Sequence, residues 1–132
     1  VIVYLDSSAL VKLVQREAES SALRRFLREY PDDRRVTSAL ARVEVVRAVS
    51  TGGAAAVAHA RRQLSRVDQI ALDAALLDAA AVLAAAAVPR SLDAIHLASA
   101  RVAGSDLRVV ITYDRRMSAA AVDLGLVIDA PA

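Results

Sequence analysis

Val1-Ile2-Val3-Tyr4-Leu5-Asp6 opens the sequence. The run over 1–5 is too short and too rich in β-formers for a helix, and reads as a buried strand. A second such run is Leu107-Arg108-Val109-Val110-Ile111-Thr112. Shorter strand signals stand at 35–38, 68–72 and 126–128. Between them apolar residues recur at helical spacing: Leu10, Leu13 and Val14 over 8–16, and Leu23, Phe26 and Leu27 over 19–30. Further helices are expected over 39–50, 54–65, 73–87, 92–103 and 115–124. Ser38 and Ser91 are the expected caps of the third and sixth. Pro31-Asp32-Asp33 is a turn, and Gly52-Gly53, Gly104 and Gly125 mark helix stops. Strands alternating with helices predict an α/β domain with a mainly parallel sheet. Sites in such sheets lie beyond the carboxyl ends of the strands.

Composition narrows the class. The chain has 132 residues, 56% hydrophobic and 24% charged, and a mean hydropathy of +0.39. At about 150 residues per domain, a single domain over 1–132 is expected. A disordered tail is excluded by the apolar content. A membrane span is not expected, because the richest apolar run, 79–88, is far short of the ~20 residues required. No signal-peptide pattern opens the chain. Cysteine is absent, which removes disulfides, zinc-thiolate sites and thiol nucleophiles. A cytoplasmic location is expected. Net charge is only +2, which does not by itself announce nucleic acid. Aromatic residues, at 3%, are too few for a base-stacking platform.

Four acids stand out. Asp6 directly follows the first strand, and Asp114 lies just past the strand that closes on Thr112. A parallel sheet places both at one edge. Each also precedes a helix, so capping is the simpler reading of either alone. Glu44 lies mid-helix among Leu40, Val43, Val45 and Val46, where a carboxylate is costly unless it is paired or bound to a cation. An i,i+3 pair with Arg47 is the alternative. Asp93 lies in the first turn of its helix, where it complements the helix dipole, yet it is one turn before Leu97 and close to the packed side. Carboxylates gathered at one edge repel unless a cation joins them. With no cysteine and only His59 and His96, oxygen-bound Mg²⁺ or Mn²⁺ fits better than zinc. That chemistry suits phosphodiester hydrolysis.

At these residues the chain resembles PIN-domain proteins, in particular the VapC ribonuclease toxins of prokaryotic toxin–antitoxin pairs. The resemblance rests on Leu5-Asp6-Ser7-Ser8-Ala9-Leu10-Val11-Lys12-Leu13, on Thr37-Ser38 through Glu44, on Arg90-Ser91-Leu92-Asp93-Ala94-Ile95-His96-Leu97-Ala98, and on Thr112-Tyr113-Asp114-Arg115-Arg116-Met117 before Leu124-Gly125-Leu126. It covers nearly the whole chain; the one departure is Val1 where an initiator Met is expected. It implies a three-layer α/β/α fold and a Mg²⁺- or Mn²⁺-dependent endoribonuclease that inhibits translation by cutting RNA. It further implies a homodimer and a VapB-like antitoxin whose C-terminal segment covers the site. Carried over by position, Asp6, Glu44, Asp93 and Asp114 are the catalytic and metal-binding acids, with Asp114 completing the site or taking a second metal. Ser8 and Thr112 match the small hydroxyl residues that support them.

Other polar groups are read more plainly. His96 is expected to have a structural or supporting role, and His59 to lie on a solvated face. Asp73 and Asp78 cap their helix or face solvent. Arg115 and Arg116, directly after Asp114, are the expected RNA contacts, since phosphate near carboxylates needs a local cation. The clusters Arg24, Arg25, Arg28 and Arg61, Arg62, Arg66 suit a solvent face or an antitoxin contact equally. Gly52-Gly53 lacks the Gly-Lys-Ser/Thr of a phosphate loop. The alternative function is a non-catalytic interaction module on the same fold. A haloacid-dehalogenase site would need an acid where Ser8 stands. A receiver domain would need a late Lys, and the only lysine is Lys12.

Overall fold

The computed structural model describes residues 1–83 and 89–132. Strand β1 (Ile2–Leu5) leads into helices α1 (Ser7–Val14) and α2 (Ser20–Glu29). Strand β2 (Arg34–Ser38) is followed by α3 (Ala41–Val49), a 3-10 turn and α4 (Gly53–Leu64). After β3 (Asp68–Ile70) come α5 (Ala74–Ala81) and α6 (Ser91–Arg101). The chain then runs through β4 (Leu107–Ile111), α7 (Arg115–Asp123) and β5 (Ile128–Asp129). The five strands form one sheet in the order β3-β2-β1-β4-β5, with every neighbouring pair parallel.

Strand periodicity sorts the side chains onto two faces. Val3, Leu5, Val109 and Ile111 point to one side, where Leu10, Leu13, Leu23, Leu27, Val45 and Leu64 of α1 to α4 cover them. Tyr4, Val36 and Val110 point to the other, against Leu97 and Ala100 of α6 and Met117, Ala120 and Ala121 of α7. A smaller cluster of Leu76, Ala80, Ala94 and Ala98 joins α5 to α6. The result is the expected three-layer α/β/α arrangement. Among the described residues no helix is long and apolar enough to cross a membrane.

Several boundaries differ from the sequence reading, each for a local reason. The expected strand 68–72 ends at Ile70, because Asp73 already caps α5 by accepting the Leu76 N–H at 2.9 Å. The helix expected over 73–87 is seen as Ala74–Ala81, and its stretch over 84–87 lies outside the described residues. Ser38 does not cap α3 directly: its Oγ accepts the Leu40 N–H at 3.1 Å, one turn residue before the helix begins. Ser91 is the first helical residue of α6 and not its cap; instead Asp93 Oδ2 accepts the Arg90 N–H at 3.3 Å. The last strand starts at Ile128 and not at Leu126. Gly125, at φ +75°, turns the chain so that the Leu126 N–H is spent on Ala121 O at 3.0 Å, closing α7.

Candidate functional site

Asp6 leaves the C-terminal end of β1, where its N–H is held by Ile111 O of β4 at 3.2 Å. It is the N-cap of α1, so its capping role is met. Oδ1 accepts the Ala9 N–H at 2.9 Å and the Ser8 hydroxyl at 2.6 Å; Oδ2 accepts the Thr112 hydroxyl at 2.5 Å. The residue is 3% exposed. Desolvation pushes its carboxyl pKa up, and the bonds from Ser8, Thr112 and Ala9 only partly offset this. Ser8 and Thr112 also tie the next segment down: Ser8 Oγ accepts the Tyr113 N–H at 2.9 Å, and Thr112 Oγ1 accepts the Asp114 N–H at 3.1 Å. Both hydroxyls thus hold the Asp6 carboxylate and the chain after β4 together.

Asp114 is the N-cap of α7, its Oδ1 accepting the N–H groups of Arg116 at 2.8 Å and Met117 at 3.2 Å. It is exposed, as are Arg115 and Arg116. Asp93, partly exposed in the first turn of α6, has its carboxyl pKa raised by desolvation and then by the nearby charge of Asp114. Arg116 acts in the opposite sense on Asp93. These two acids are thus electrostatic neighbours across α6 and α7.

Glu44 reaches the same edge from α3. It does not pair with Arg47: its Oε1 accepts the Ser7 hydroxyl at 2.7 Å and lies 2.7 Å from His96 Nε2. Burial raises its carboxyl pKa, but the hydrogen bonds from His96 and Ser7 outweigh that and hold it below the ordinary value. His96 is 3% exposed, and its Nδ1 meets the Tyr4 hydroxyl at 2.7 Å. Ser7 was not singled out by sequence; the signal was its place beside Asp6, shared with Ser8. His59 is half-buried on α4 beside Gln63 at 3.2 Å.

All four acids therefore sit beyond the strand ends, linked as Asp6–Thr112–Asp114, Asp114–Asp93 and Glu44–His96. The donor set is all oxygen, which suits a hard divalent cation. Among the described residues, however, no three carboxylate or imidazole groups converge closely enough to hold one ion. The reason is visible in the bonds. Both oxygens of Asp6 are engaged by hydroxyls, and Glu44 is drawn toward His96. This geometry suits few protein ligands with water completing the shell, a habit of Mg²⁺.

The sequence matches the PIN domain family over residues 3–123. It is 50% identical over 133 residues to Ribonuclease VapC46 of Mycobacterium tuberculosis, covering 98% of this chain and 97% of that protein. It is 44% identical over 135 residues to Ribonuclease VapC35 of the same species, with the same coverage. Among solved structures the fold is similar to Mycobacterium tuberculosis VapC20, a sarcin-ricin loop cleaving toxin. That match has a TM-score of 0.74 and 24% identity over 98% of this chain and 99% of that one. It is also similar to VapBC2 of Rickettsia felis, bound to a DNA fragment from their promoter, with a TM-score of 0.70 and 12% identity over 99% and 100% of the two chains.

Proposed function

The chain belongs to the PIN-domain family and to its VapC branch, and on that footing we propose that it is a Mg²⁺- or Mn²⁺-dependent endoribonuclease, the toxin of a toxin–antitoxin pair that inhibits translation by cutting RNA. The observation that carries the reading is Asp6. It is a carboxylate 3% exposed, held by two hydroxyls and one N–H, and no Lys or Arg pairs with it among the described residues. A buried carboxylate without a counter-charge is costly, and a cation at the strand ends removes that cost.

Asp6, Glu44 and Asp93 would hold the cation, directly or through water, and Asp114 would complete the site or take a second ion. When bound, the ion supplies positive charge against the phosphate and lowers the pKa of a coordinated water. The protein does the rest. Ser8 and Thr112 fix the Asp6 carboxylate, each through one oxygen. Ser7 and His96 keep Glu44 anionic. Arg115 and Arg116, exposed at the start of α7, offset the repulsion between the acids and the RNA backbone. With few aromatics, the grip is on backbone and shape and not on stacked bases.

A VapB-like antitoxin is the expected partner, a homodimer the expected assembly and the cytoplasm the expected location. The test incubates the purified chain with total RNA in Mg²⁺ or in EDTA. Discrete fragments only with the metal support the reading; a chain inert under both conditions is instead an interaction module. Expression should arrest growth, and co-expression of the cognate antitoxin should relieve the arrest.

A further inference from the structure

Beyond keeping Glu44 anionic, His96 belongs to a buried chain of polar groups whose inner member, Tyr4, has no part in the proposed reaction. Tyr4, 0% exposed in the middle of β1, meets His96 Nδ1 at 2.7 Å, and His96 Nε2 meets Glu44 Oε1 at 2.7 Å. The two rings meet edge-on, with centroids 6.0 Å apart. Three elements from different parts of the chain, β1, α3 and α6, contribute one residue each.

Hydrogen-bond chemistry sets the direction of this chain. A carboxylate oxygen only accepts, so at 2.7 Å from Glu44 Oε1 the Nε2 atom must carry a proton. The Ser7 hydroxyl donates to the same oxygen and lies 3.2 Å from Nε2, so it can share that N–H but does not compete for Glu44 as an acceptor. At the other end, burial and the charge of Asp6 keep the Tyr4 phenol protonated. Its hydroxyl meets His96 Nδ1 and also has the Ser99 and Thr37 hydroxyls within reach; Ser99 donates to Ile95 O, and the Thr37 hydroxyl can donate to the phenol oxygen and leave the phenol proton for Nδ1. A phenol that donates to Nδ1 leaves the proton on Nε2. Both donors to Glu44 fall on Oε1, and Oε2 has no hydrogen-bond partner among the described residues.

We propose that His96, held in its Nε2–H tautomer by Tyr4, is a positioning residue that fixes Glu44 through Oε1 and leaves Oε2 free to take a divalent cation. The inference rests on the metal-dependent reading of the site. It treats Tyr4 and His96 as the outer support that orients a ligand, as hydrogen-bonded neighbours do in metal sites generally. Tyr4 acts through His96, and His96 through Glu44; neither touches the reacting groups.

The test uses the full chain and Mn²⁺ alone as the probe. Titration calorimetry compares the parent with His96→Gln, His96→Leu and Tyr4→Phe. Gln can still donate to Glu44, so His96→Gln should bind Mn²⁺ within about threefold of the parent. His96→Leu should lose about 10- to 100-fold, and Tyr4→Phe should fall between the two. Where RNA cleavage is measured, His96→Leu should lower kcat and leave KM for RNA unchanged. Nitrogen-15 shifts of the parent imidazole should show a single proton, on Nε2. A folded His96→Leu with parental Mn²⁺ affinity, or a protonated Nδ1, overturns the proposal. If His96→Leu fails to fold, the imidazole shifts and the Tyr4→Phe and His96→Gln affinities decide it. A parent inert on RNA sinks the nuclease reading, while the Mn²⁺ affinities and the imidazole shifts still settle this one.

Discussion

Thr112 Oγ1 donates to Asp6 Oδ2 at 2.5 Å and accepts the backbone N–H of Asp114 at 3.1 Å. One hydroxyl therefore joins the acid after β1 to the acid that caps α7. Removing it leaves Asp6 buried with one donor fewer, which costs about 1–3 kcal/mol. Thr112→Val should lose stability in that range and lose metal-dependent cleavage. Thr112→Ser should keep most of both. Urea denaturation with parallel RNA assays checks this; a Val variant as stable and active as the parent would rule out the linking role.

Asp6→Asn separates stability from activity. The side chain keeps an oxygen for the Ala9 N–H, and Asn caps helices about as well as Asp. Asp6 has a raised pKa, so its charge disfavours the folded state at neutral pH. The Asn variant should therefore melt at or above the parental temperature without added metal, and cleave no RNA. Asp6→Ala lacks the cap and should lose about 0.5–2 kcal/mol. Thermal melts beside cleavage assays distinguish the two outcomes, and an active Asn variant would sink the assignment of Asp6.

Metal should stabilise the fold as well as activate it. Asp93 is raised by burial and by Asp114, so a cation between the strand ends relieves a repulsion that exists in the folded state only. A ligand of the folded state at 100 times its Kd adds about 2.7 kcal/mol. Mn²⁺ should raise the parental Tm accordingly, with a smaller effect in Asp93→Asn. No Tm change across a millimolar titration would count against a metal site here.

Alkaline pH should weaken the packing of α1 against the segment after β4. Lys12 donates to Glu19 at 2.7 Å, lies 3.5 Å from Glu17 and sits 4.6 Å from the centre of the Tyr113 ring. Burial lowers the Lys12 pKa, but the two glutamates outweigh it and raise it overall. Its contribution is complete below the unfolded value of about 10.4 and is lost as pH rises through the higher folded value. Tyr113 is pushed up to about 12, by burial first and then by Glu19, Asp129 and Asp6. The folded chain thus keeps a proton that the unfolded chain releases near pH 10, and stability falls between about 10 and 12. Both groups act in the same direction. Urea midpoints followed from pH 8 upward should decline as tyrosinate absorbance rises, and Lys12→Met should flatten the early part of the decline.

Arg116 should hold RNA and not catalyse. It is exposed and near enough to Asp93 to lower its pKa. Arg116→Ala should raise KM with kcat little changed, and reduce the salt slope of RNA binding by ~0.7 if it contacts one phosphate of a single strand. A kcat loss at constant KM would give Arg116 a different part.

Much of this architecture was legible in two apolar runs. Residues 1–5 and 107–112 are continuous because they pair at the centre of the sheet and are covered on both faces, and that placed Asp6 and Asp114 at one edge. Helix centres were legible from spacing, whereas ends were not: Ser38, Ser91 and Leu126 were misread because a single N–H or hydroxyl, satisfied by the nearest acceptor, decides where a helix or strand starts. The surroundings of Glu44 were hidden for another reason. Spacing on α3 shows which way Glu44 faces, but not that Ser7 and His96, 37 and 52 residues away, supply its donors. Arg47, close in sequence, was the more visible candidate and is not the partner.

The long bond from Thr112 to Asp6, 106 residues apart, has a consequence for a chain still being made. Asp6 is synthesised 106 residues before Thr112, so one of its donors and its neighbouring acid arrive only after β4. A nascent chain that ends between Glu44 and β4 carries Asp6, Ser8 and Glu44 without the strand that shapes the edge around them. Any activity that depends on the bond between Thr112 and Asp6 therefore waits until β4 has been made.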